Sequence, residues 1–203
     1  FTLSAWVYVP SREGRRGIFS KLEPLEAQYR GYTLQLFAGA PALFLVNEFP
    51  DNLLSIQSKQ QLEPLKWHHV VATYDGSGKV AGAKLYVNGE LQELASSIDR
   101  LSDSFRTEKP LWVGNGHPGA KFKGRIDDAR IYNRTLTMEE IERLPGGCIQ
   151  TLLAIPEADR SQDVVRRVRN HYLENEAPKE WREPYERVNE LRDAKQASER
   201  DHA

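Results

Sequence analysis

"FTLSAWVYV", residues 1–9, decides the fold. Phe1, Leu3, Ala5, Val7 and Val9 alternate with Thr2, Ser4, Trp6 and Tyr8. A period of two places the first set on one face of a sheet and the second on the other. The same grammar continues outward. "GIFSK", "GYTLQLFA", "ALFLVN", "LLSIQS", "KWHHVVATY", "AKLYVN", "PLWVG" and "RIDDARIYN" follow at short intervals, separated by Gly- and Pro-rich turns. Many short strands with turn signals between them, and no helices to supply parallel crossovers, predict an antiparallel β-sandwich over residues 1 to about 136.

Within "WHHVVATYDGSGKVAGAKLYVNGEL", Trp67 to Leu91, the conspicuous residues read as architecture. Asn88-Gly89 signals a two-residue hairpin, because both central positions of a type I′ turn need positive φ. "AKLYV" and "ELQEL" are therefore expected to pair. Asp75-Gly76 closes the preceding strand by similar turn chemistry. His68 and His69 are consecutive on a strand, so they leave by opposite faces and do not converge on one metal. They are expected to fill sheet faces.

Composition sets limits. The chain has 203 residues, a formal net charge of −1 and one cysteine, Cys148. The mixed charge gives no electrostatic footprint for nucleic acid or an anionic membrane. No internal disulfide forms from one thiol. No apolar run approaches the ~20 residues of a membrane span. The chain opens on a strand at Phe1 rather than on a methionine. This suggests a segment of a longer protein whose targeting signal, if any, lies upstream.

After residue 136 the pattern changes. "TLTMEEIERL" pairs Thr137 with Glu140 three places on, a capping box opening a short helix to about Leu144. "PGG" stops it. Further on, Ser161 precedes a helix carrying Val164, Val165, Val168 and Tyr172. After a break at "NEAPKEW", Trp181, Tyr185, Val188 and Leu191 form an apolar stripe along a second helix. "KQASERDHA" is too polar to predict order. Two regions follow: a sandwich over 1–145 and a helical tail over 146–203.

Four stretches together, "FTLSAWVYVP", "WHHVVATYDG", "KLYVNGEL" and "FKGRIDDARIYNRTLTMEEI", resemble the concanavalin A-like lectin/glucanase superfamily in its laminin-G-like branch. The resemblance spans residues 1 to about 144, and the motifs occur in the family's order. It implies an all-β, antiparallel jelly roll followed by the short helical tail. Family members usually carry more chain before the first strand here, which implies an open sheet edge. The tail is similar to the helical linker of large planctomycete multidomain proteins of the haem-cytochrome type. That implies an exported bacterial parent, extracellular or periplasmic, whose other domains are the chain's partners. No haem is implied, because Cys-x-x-Cys-His is absent.

Some proteins of this fold hydrolyse glycans with carboxylates close together on one strand, but no Glu-x-Asp-x-x-Glu run occurs here. Glu139, Glu140 and Glu142 fall on the short helix and read as a solvated, capping face. The leading expectation is a non-catalytic module that binds a ligand, above all a glycan. A structural or protein-interaction domain is the alternative, and a glycoside hydrolase comes third. Sugar rings present apolar faces that aromatic rings match. Trp6 and Tyr8, sharing one strand face, are candidates, as is Tyr32 in "QYRGY". The polar loops "NEFPDN" and "VGNGHPGAK" add Asn47, Asp51, Asn52, Asn115 and His117. The resemblance also implies a structural Ca2+ held partly by Asp127 of "RIDDARIYN", in hard oxygen coordination.

Overall fold

The computed structural model describes residues 1–116, 120–142, 144, 152–153, 156–160 and 162–201. The chain divides into two compact units, Phe1–Glu142 and Arg143–Ala203.

The first unit is an antiparallel sandwich of two sheets. One has the order β11-β1-β6-β7-β8, built from β11 (Arg125–Tyr132), β1 (Thr2–Tyr8), β6 (Trp67–Tyr74), β7 (Ala83–Val87) and β8 (Glu90–Leu91). The other has the order β10-β2-β3-β4-β5-β9. Its strands are β10 (Trp112–Val113), β2 (Arg15–Leu22), β3 (Gly31–Phe37), β4 (Ala40–Glu48), β5 (Asn52–Ser58) and β9 (Leu94–Asp99).

Alternation explains the register. Leu3, Ala5, Val7 and Val9 point into the core beside Val70, Ala72, Leu85 and Val87 of the same sheet. Phe19, Leu34, Leu36, Leu43, Leu45, Leu54 and Ile56 answer from the second sheet. Leu34 stands opposite Leu43, and Leu45 opposite Leu54, so the leucines line up across three strands. Full burial of each such side chain is worth about 1.5–3 kcal/mol.

The turn after β7 is the hairpin the dipeptide predicts: Asn88 and Gly89 have φ of 53° and 88°. The pairing it starts is shorter than expected. Only Glu90 and Leu91 lie beside β7; Leu94 onward crosses to pair with β5 as β9.

After β11, Thr137 and Glu140 close the capping box at the start of α1 (138–142). The Thr137 N–H donates to Glu140 Oε2 at 2.9 Å and the Glu140 N–H to Thr137 Oγ1 at 3.3 Å. The second unit contains α2 (Gln162–Asn175) and α3 (Lys179–Asp201). On α3, Trp181 is 67% and Leu191 60% exposed. Cys148 and the Ser161 cap lie outside the described residues.

Candidate functional site

Two polar turns and one loop meet at the end of the sandwich where β6 finishes. Asp75, just past β6, accepts the Ser77 N–H on Oδ1 at 2.8 Å. Gly76 and Gly78 take φ of 92° and 73°, which the reversal requires. The Gly78 N–H donates to the Tyr74 hydroxyl at 2.7 Å, fastening the turn to the strand below. Hydrogen bonds from Ser77 hold the Asp75 carboxyl below its ordinary pKa, so it is an anion at neutral pH.

The opposing wall is the loop that follows β9. Asn52 holds it at three points: Oδ1 accepts the Ser102 N–H at 2.9 Å, and Nδ2 donates to Ser102 Oγ at 3.0 Å and Asp103 Oδ2 at 3.1 Å. Asn47 adds a bond from Nδ2 to the Ser104 carbonyl at 2.6 Å. The Val80 N–H donates to Asp99 Oδ1 at 3.1 Å, tying the two walls together.

Four rings stand behind and beside the opening. Phe1 packs against Tyr32, Tyr74 and Phe105 at centroid distances of 5.4, 5.8 and 6.4 Å. Phe105 meets Tyr32 and Tyr74 edge to face at 6.4 and 5.9 Å. Tyr74 is buried, Phe1 and Phe105 are half-buried, and burial pushes the Tyr32 phenol pKa up. The Phe1 backbone nitrogen donates to the Tyr74 carbonyl at 2.8 Å.

Between these walls lies a cavity of about 470 Å³. Phe1, Tyr74 and Phe105 supply its apolar surface; Asp75, Asp103 and Arg106 supply charge; Ser77, Ser102 and Ser104 supply hydroxyls. The volume falls within the range of small-molecule sites, and the lining is more polar than the mostly apolar walls such sites usually have. Asp75 and Asp103 offer acceptors, Arg106 offers donors, and the ring edges offer contact to C–H surfaces.

The residues singled out in the sequence divide among several places. Tyr32, Asn47 and Asn52 converge here, the ring behind the cavity and the two amides behind its loop. Asp51 is exposed in the adjoining turn. Trp6 and Tyr8 lie elsewhere, on the outer face of the first sheet. Tyr8 is only 6% exposed, with the Arg125 guanidinium 4.9 Å above its ring and Trp67 5.8 Å away. Trp6 is half-buried and leans on His69 at 5.3 Å. A strand's two faces are not one core and one solvent face here, because Thr2 and Ser4 on the outer side are also fully buried. Asn115 packs beside Gly17, whose missing Cβ would stand 2.7 Å from the Asn115 carbonyl oxygen. His117 lies outside the described residues.

Asp127 sits at a bulge between β1 and β11 and accepts the Asp128 N–H on Oδ1 at 2.8 Å. Among the described residues, no three His, Cys, Asp or Glu gather as a metal cluster. His68 and His69 leave by opposite faces, as the alternation requires. His68 Nε2 meets the Glu63 carbonyl at 3.0 Å and His69 Nε2 meets Ser4 Oγ at 2.8 Å.

None of the residues lining the cavity was singled out as a site in the sequence: Phe1 and Tyr74 read as strand and Asp75–Gly78 as a turn, while Ser102 to Arg106 lie in "RLSDSFRTEK", a polar loop without a motif. Its one usable signal is an aromatic residue isolated among serines and charges.

A laminin G-like family model, described as the concanavalin A-like lectin/glucanases superfamily, matches residues 1–142. No curated protein matches the chain. Among solved structures, Ruminococcus gnavus IT-sialidase CBM40 is similar at 19% identity and a TM-score of 0.57, covering 71% of this chain and 81% of that one. The same CBM40 bound to alpha2,3 sialyllactose matches at 18% identity and 0.57, covering 71% and 80%. The botulinum neurotoxin serotype D binding domain matches at 21% identity and 0.51, covering 73% of this chain and 37% of that one. At these identities the likeness is one of fold.

Proposed function

The chain belongs to the concanavalin A-like lectin/glucanases superfamily, and we propose that its sandwich is a non-catalytic carbohydrate-binding module in a larger exported bacterial protein. The observation that carries this reading is the cavity at the Tyr74 end. Aromatic rings, two carboxylates, three hydroxyls and one guanidinium line a single opening of about 470 Å³. A sugar ring needs that combination: flat apolar contact for its C–H faces and fixed polar groups for its hydroxyls. A module of the same fold, Ruminococcus gnavus IT-sialidase CBM40, binds sialyllactose, which supports the class of ligand.

Asp75 acts here as an acceptor, its pKa held below the usual carboxylate range by hydrogen bonds from Ser77. A glycosidase acid has its pKa raised by its surroundings. The carboxyls with a resolved shift among the described residues, Glu63, Asp75, Glu93 and Glu140, are all shifted down.

The test is calorimetric titration of the full chain with a panel of neutral, acidic and amino oligosaccharides. Wild type is expected to bind at least one class saturably. Asp103→Asn is expected to weaken that binding about tenfold, since a hydrogen bond to a charged group is worth ~1.5–3 kcal/mol, and Phe105→Ala about three- to tenfold through loss of its aromatic contact. No binding across the panel, or binding unchanged in both variants, contradicts the reading.

A further inference from the structure

The turn that holds the cavity loop also carries an exposed aromatic residue, and we propose that this residue and its neighbour form a second sugar subsite. The ligand is then an oligosaccharide extending out of the cavity rather than a lone sugar. This inference rests on the carbohydrate reading of the cavity.

The turn between β4 and β5 covers residues 49–51 and is flanked by Asn47 on β4 and Asn52 on β5. Those two residues face the cavity loop through the hydrogen bonds to Ser102, Asp103 and Ser104. The turn itself presents Phe49, 47% exposed despite a large apolar ring. Phe49 is not an isolated surface aromatic. Its ring meets Tyr29 edge to face at 5.9 Å, with the planes 74° apart. Leu25, 60% exposed, lies on the same loop as Tyr29.

This pair is held in place. The Phe49 N–H donates to the Gln28 carbonyl at 3.0 Å, and Gln28 Nε2 donates to Glu48 Oε1 at 3.0 Å. Arg30 Nε donates to the Asn47 carbonyl at 3.3 Å. To meet the turn, the loop holds Gln28 and Tyr29 at φ of 57° and 58°. Two successive non-glycine residues in the left-handed region carry backbone strain, which persists where the surroundings over-determine it. The consequence is an aromatic shelf fixed to the hairpin that shapes the cavity wall.

Proximity follows from chain length. Asn52 touches the cavity loop directly, and Phe49 stands three residues before it. Three residues span at most about 10 Å. A sugar chain seated by one ring in the cavity has the shelf within reach of its following rings, beyond the loop that Asn52 braces. Edge-to-face rings leave one aromatic face open to a pyranose face, the contact that stacks without regard to hydroxyl stereochemistry.

The experiment compares a monosaccharide with its tetrasaccharide, using the sugar bound by the full chain in the panel above. The tetrasaccharide is expected to bind about three- to tenfold tighter, the worth of one good aromatic contact. Phe49→Ala should abolish that gain and leave monosaccharide affinity unchanged. Phe49→Trp should keep it. Monosaccharide binding without a length gain, or a gain that survives Phe49→Ala, overturns the shelf and leaves the cavity reading standing. No binding of either sugar removes both.

Discussion

His69 shows how one buried side chain couples this fold to pH. It is 2% exposed between Ser4 and the ring of Trp6. Burial lowers its pKa to about 4; the Asp128 charge opposes this weakly and Arg130 assists. Burial also lowers the pKa of His68. Both imidazoles are neutral in the folded protein at pH 7. An unfolded histidine takes a proton near pH 6.5. Between about pH 6.5 and 4 the unfolded chain thus binds more protons, and stability falls as pH falls through that window. The expected loss from His69 is about 2 kcal/mol between pH 7 and pH 4.5. Glu140, held down at about 2 chiefly by Arg134, adds its own loss only at lower pH. Urea midpoints at pH 7 and 4.5 check this: His69→Gln should flatten the difference, and an equally steep variant would refute the assignment.

Glycine, leucine and register decide the elements. Gly31 opens β3 at φ 137°, and a Cβ there would stand 1.9 Å from the Lys21 carbonyl oxygen. Gly31→Ala is expected to cost more than ~2 kcal/mol, through backbone strain and displacement of β2 together. Leu43 lies fully buried between Leu34 and Ile56, so Leu43→Ala should cost about 2–5 kcal/mol. Chemical denaturation measures both; a loss under ~0.5 kcal/mol at either site would contradict the packing. The strands were legible in sequence because their inward residues alternate, and Asn88-Gly89 announced its turn. β9 was not, because "LASSID" places Ser and Asp where a core strand shows branched apolar residues, and only Leu94 reaches the core. The capping box at Thr137 was legible because it is local. Trp6 and Tyr8 misled because alternation distinguishes two faces but not which of them is covered.

Across the whole molecule, the candidate site is the part least legible in sequence. Its walls come from residues 1, 74–78 and 101–106, which the topology gathers from three distant places. Asn47, Asn52 and Tyr32 could be picked out as polar-loop and aromatic residues, but their role behind the wall depends on contacts with Ser102 to Phe105, 50 or more residues away in sequence. The helical unit contributes a separate surface. Trp181, Val188 and Leu191 are exposed along α3. Trp181→Ser is expected to leave thermal stability of the chain within ~0.5 kcal/mol, as for other exposed positions. It should reduce any self-association seen in sedimentation. A large loss of stability would mean the ring is packed rather than presented.

The central claim is that the Tyr74 end of the sandwich is where a carbohydrate binds. Amide chemical-shift mapping of the labelled full chain, titrated with the strongest-binding oligosaccharide, tests it most directly. The account predicts that the largest shifts cluster at Asp75–Gly78 and 101–106, with smaller ones at Asn47–Asn52. Shifts centred instead on β1 near Trp6, or on the outer face of the second sheet near Trp112, would contradict it.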